Sequence, residues 1–103
     1  MSLYAHLEIH TGMQMAPISE ELTVYGWLTL IFRKAGCEIE ALNGVLGEQA
    51  APVLQDAVVN IDRLELIVIQ DFSREVFDAA KTFLSRLLAD CKAHPKAVLS
   101  VQN

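Results

Sequence analysis

The sequence predicts a small α/β domain, with a sheet of three to four strands packed against helices and a βαβ unit at its C-terminal end. Three observations carry that expectation. Arg63 to Gln70 (RLELIVIQ) is a short run of Leu, Ile and Val without Gly or Pro, the pattern of a strand buried on both faces. From Phe72 to Ala93 the apolar residues Val76, Phe77, Ala80, Phe83, Leu84, Leu87, Leu88 and Cys91 form one stripe at helical spacing. Ala97 to Gln102 (AVLSVQ) reads as another short strand. Strand, long helix, strand implies two parallel strands joined by a right-handed crossover. The alternative is an all-α bundle, because Leu54, Ala57, Val58, Ile61, Leu64 and Val68 also make a helical stripe. The β-branched cluster Ile67, Val68 and Ile69 favours the strand.

Taken in order, Tyr4 to His10 alternates, with Leu7 and Ile9 on one side and His6, Glu8 and His10 on the other, as in a strand with one wetter face. The passage TGMQMAPISE is rich in turn formers and reads as a loop. Thr23 to Phe32 carries conflicting signals: its residues favour a strand, its flanks a helix. Ser19 suits a cap, Glu20 and Glu21 a first turn, Arg33 and Lys34 a last turn, and Gly36 a C′ position, which tips the reading to helix. Two short helices follow, Cys37 to Leu46 stopped by Gly47, and Pro52 to Ile61 with Pro52 in its first turn. The long helix is capped by Asp71 or Ser73 and ended by His94-Pro95, with Arg74/Asp78 and Arg86/Asp90 spaced for i,i+4 pairs on its outer face.

A chain of 103 residues has room for one core, so residues 1–103 are expected to form a single domain. A hydrophobic content of 52% is high for so short a chain and favours a homo-oligomer, most simply a two-fold dimer. The net charge of −5, with scattered basic residues, argues against nucleic acid and against an anionic membrane surface as partners. No apolar run approaches the roughly 18 residues of a membrane span, and MSLYAHLEIH lacks the features of a signal peptide. A cytoplasmic location is expected. Cys37 and Cys91 sit among apolar residues without metal-ligand spacing and are expected as buried thiols.

Four groups of residues have the chemistry for a site. His6, Glu8 and His10 share a strand face, but His6 and His10 stand about 14 Å apart there, too far to share a metal ion. Asp71 and Ser73 follow the expected central strand at a helix N-terminus, where open α/β sheets bind anions and where both residue types also serve as caps. Cys91 and His94 would need an exposed sulfur to act as a nucleophile pair, whereas Cys91 falls on the apolar stripe. Tyr25, Trp27 and Phe32 supply aromatic surface for either a core or an interface. Nucleotide, hydrolase, zinc-protease and thiol-redox motifs are all absent, so neither a cofactor nor a metal is expected.

With Thr23 to Phe32 as a strand, the order ββαβαβ and the segment DFSREVF resemble the STAS family of regulatory domains found in anti-sigma-factor antagonists. That resemblance implies a regulatory interaction domain with Ser73 nearest the family's phosphorylated serine. The connection before Ser73 is shorter than the family's, and the family's last helix has no counterpart. The function expected from the sequence is a non-enzymatic cytoplasmic regulatory or protein-interaction domain, homo-oligomeric, with Tyr25, Trp27 and Phe32 at its interface. The alternative is a small ligand-binding or catalytic domain with an anion site at Asp71 and Ser73.

Overall fold

The computed structural model describes residues 2–67 and 73–103. Among these residues, four antiparallel strands and three α-helices make a small α/β fold, with the sheet open on one face and covered by helices on the other. The strands are β1 (Ser2–Thr11), β2 (Gln14–Pro17), β3 (Leu22–Tyr25) and β4 (Val98–Gln102). The helices are α1 (Thr29–Lys34), α2 (Gly47–Ile67) and α3 (Arg74–Ala93).

β1 is the organising strand. Its alternation puts Leu3, Ala5 and Leu7 under the helices, fully buried, and leaves Tyr4, His6 and Glu8 on the open face. The chain turns back through Gly12 and Met13, with Thr11 opposite Gln14 and Gly12 at φ +67°. A positive φ at the first central position of a two-residue hairpin needs glycine, which explains how the expected loop TGMQMAPISE contains a strand.

The returning strand does not run evenly. Glu8 pairs with Pro17 and Ala5 with Leu22, so four residues, 18–21, stand opposite two, His6 and Leu7. Ser19 spans the irregularity: its hydroxyl accepts a 2.8 Å hydrogen bond from the Leu7 amide, while the Ile18 amide donates to the Leu7 carbonyl at 2.8 Å. This bulge divides one return strand into β2 and β3 on the same edge of β1.

β4 takes the other edge of β1, antiparallel, with Leu99 opposite Leu7 and Val101 opposite Ala5 on the core face. The far edge of β4 is covered by the chain itself. The Gly44 amide donates to the Leu99 carbonyl, the Leu99 amide to the Val45 carbonyl, and the Val101 amide to Asn43 Oδ1 at 2.9 Å.

The βαβ unit expected at the C-terminal end is corrected by this arrangement. Residues 63–67 continue α2 as helix, and β4 lies antiparallel beside β1. The remainder of the expected strand, 68–70, lies outside the described residues. Helix wins over the β-branched preference because α2 is already built and packed before it reaches that point. Its first amides are held by carbonyls of the turn before β4, Gly47 to Ala97 at 2.8 Å and Glu48 to Pro95 at 2.9 Å. Ala50, Leu54, Ala57 and Ile61 then bury one stripe along α3. Propensity differences of a few tenths of a kcal/mol per residue do not break such a helix.

Gly47, expected to stop a helix, begins this one. A Cβ there would sit 2.6 Å from the His94 carbonyl oxygen, so only glycine lets α2 start this close to the end of α3. Pro52 consequently lies in the second turn of a longer helix. Thr23 to Phe32 resolves the conflict of its signals by splitting: β3 ends at Tyr25, a 3₁₀ turn covers Gly26–Leu28, and α1 begins at Thr29. Cys37 to Leu46 contributes a 3₁₀ turn, Ile39–Leu42. α3 is the helix the apolar stripe predicts, burying Phe77, Ala80, Phe83, Leu84, Leu87, Leu88 and Cys91.

Candidate functional site

A groove of about 610 Å³ runs between β3 and α3. Its sheet wall is the outer side of β3, and its helix wall is the exposed line Asp78, Ala79, Thr82 and Arg86. The buried rings and chains of Phe83 and Leu28 form the apolar base. Asp78, Thr82 and Arg86 recur every four residues, so they stack on one face with opposite charges at the two ends and a small side chain between. Arg86 Nη2 lies 3.6 Å from Glu20 Oε2 in the bulge, an exposed ion pair that borders the groove.

The free edge of β3 follows from how the sheet is built. Among the described residues, β3 pairs with β1 alone, so its other side presents backbone amides and carbonyls outward. Tyr25, which lines the groove, is 68% exposed, and Trp27 in the adjoining turn is 48% exposed. Large aromatics at a sheet edge are the material of interfaces. Phe32 is different. It is fully buried and stacks on Phe83 with ring centroids 5.6 Å apart, so it belongs to the core and is corrected as an interface residue.

Asp71 lies outside the described residues. Ser73 is the exposed N-cap of α3, where its carbonyl accepts from the Val76 and Phe77 amides and its side chain makes no capping bond. It does not line the groove. On the open sheet face, His6 Nε2 is 2.7 Å from Glu8 Oε1 and its Nδ1 is 3.7 Å from Glu21 Oε2, while His10 is exposed at the far end of β1. Among the described residues no group of three His, Cys, Asp or Glu side chains has the arrangement to hold a metal ion.

The two thiols are free and buried. Burial, with the nearby Glu38 charge adding to it, pushes Cys37 up to about 11. Burial and the Asp90 charge do the same for Cys91. Thiols held this high are protonated at neutral pH. The sequence signal for the groove was present but divided: the polar face of α3 was legible, whereas the open edge depends on the bulge around Ser19 that separates β3 from β2.

Among the described residues no helix is long and apolar enough to cross a membrane. Compared with known proteins, the chain matches no protein family, no curated protein and no solved structure, and the STAS resemblance is corrected by the antiparallel sheet.

Proposed function

We propose that the chain is a non-enzymatic protein-interaction domain that takes an extended partner segment against β3, in the groove beside α3. The observation that carries this reading is that, among the described residues, no strand pairs with the outer edge of β3, which lies next to an apolar groove. Strand addition to such an edge draws affinity from main-chain hydrogen bonds and specificity from alternate side chains entering the groove. The exposed Tyr25, which lines the groove, supplies an anchor at its end. The two free thiols suit a reducing compartment and support a cytoplasmic setting.

The test is to select peptides against the isotope-labelled chain from a random display library and map them by amide chemical shifts. Binders are expected to shift the Leu22–Tyr25 amides together with those of Ala79 and Thr82. Tyr25→Ala is expected to weaken them about tenfold, the worth of one well-buried aromatic contact at an interface. Shifts confined to another surface, or no binders from a chain that is also monomeric, would overturn the reading.

A further inference from the structure

We infer that the occupant of this groove is a second copy of the chain, joined through β3 about a two-fold axis so that two sheets become one. The inference rests on the interaction reading above and adds the identity of the partner.

The helix wall is complementary to itself. An axis passing by Thr82 runs α3 antiparallel to the partner's α3 and brings each Asp78 opposite an Arg86 of the other copy, twice over. A line of charges reading acidic, small, basic at intervals of four residues is what an isologous contact requires, because the same patch must serve as both halves. Ala79 and Thr82 leave room for the helices to approach at the usual 8–10 Å.

The sheet edge accepts the same axis. Directly opposed residues of an antiparallel pair point to one face, so keeping both helix layers on one side requires paired positions of equal parity. Val24 opposite the second copy's Val24 meets that condition within β3. It sets Thr23 against Tyr25 on the open face, a β-branched and aromatic cross-strand pair. Val24 and Thr82 line the same groove, so a single axis satisfies strand and helix together.

Sedimentation equilibrium over a wide concentration range tests this directly. The native chain is expected to reach twice its 11.4 kDa mass. Asp78→Arg and Arg86→Asp, both at exposed positions, are each expected to weaken self-association about tenfold by opposing like charges. Mixing the two single variants, or combining both substitutions in one chain, restores opposite charges at every contact and is expected to restore the dimer. Amide exchange at Leu22–Tyr25 is expected to slow as the dimer forms. A chain that stays monomeric throughout overturns the inference, as does a dimer indifferent to both single substitutions. A monomer that still binds selected peptides along β3 refutes the second copy while leaving the interaction reading in place.

Discussion

The two edges of the sheet are finished in opposite ways. Along β4, the chain supplies its own cover: Asn43, Gly44 and Val45 bond to Leu99 and Val101, and a bridge joins Leu46 to Val98. Along β3 no described strand follows, and a bulge fixed by Ser19 shortens the edge to four residues. A protein that needed only to protect itself would close both edges or blunt both with charge. Here one edge is sealed at the cost of a dedicated segment, and the other is left beside an apolar groove and two exposed aromatics. Side chains on the first edge therefore hold the fold, whereas Tyr25 and Trp27 beside the second stand partly exposed.

The comparison is sharpened most strongly at Leu99, fully buried on β4 opposite Leu7. Leu99→Ala is expected to cost about 2–5 kcal/mol in chemical denaturation, as large-to-small changes in a packed core do. A loss as small as that of a surface substitution would mean that β4 is not the closed side.

Alkaline pH is the next probe, because both raised thiols belong to the helix-packed body and neither lines the groove. Each pKa stands near 11 in the folded chain against 9.0 ordinarily, so below pH 9 both states hold the proton and stability is unaffected. Between pH 9 and 11 the unfolded chain ionises first. Folding is then expected to lose roughly 1 kcal/mol per thiol by pH 10. The measurement is the pH dependence of Tm for the native chain minus that of a Cys37→Ala/Cys91→Ala variant. A difference that stays constant across pH 9–11 would show the thiols to be solvated.

The smallest effects distinguish the edges themselves. Asn43→Ala removes the acceptor for the Val101 amide and is expected to cost about 1–2 kcal/mol, since a buried amide loses its partner. Ser19→Ala removes the acceptor for the Leu7 amide on the open edge and is expected to cost about 1 kcal/mol or less, since Ile18, Glu20 and Glu21 around it are exposed. Thermal denaturation of both variants checks the order. The reverse order would mean that the bulge, not the covered edge, pins the sheet.

How much of this was legible in the sequence varied with the kind of force that decides each element. α3 was fully legible, because a stripe from Phe77 to Cys91 fixes a helix and its buried face together. β4 was legible as a strand, but its partner and direction were not, since local pattern holds no information about a neighbour at the other end of the chain. Residues 63–67 were misread because a cluster of β-branched residues signals strand, while the helix is imposed from its far end by Gly47 and the packing of α2 on α3. At the site, Tyr25 and Trp27 were identified by residue type and lie exposed, whereas Phe32 shares their chemistry and is buried. Aromatic character alone does not separate the two outcomes. The open edge of β3 depended on a two-residue irregularity held by one serine hydroxyl, too slight a feature to read from spacing.

The pairing of β1 with β4 also has a bearing on how the chain comes to be folded. Tyr4 meets Gln102 and Glu8 meets Val98, so half of the central strand's pairing waits for residues synthesised at the opposite end. At ordinary rates of translation that interval is on the order of ten seconds. During it the β1–β2–β3 hairpin can form from its local turn, but the leucines of β1 lack their helices and one entire edge is bare. Contacts of such long sequence separation slow folding and prolong exposure of strand edges. The nascent chain is thus most vulnerable to aggregation along the strand that ends up between the other three.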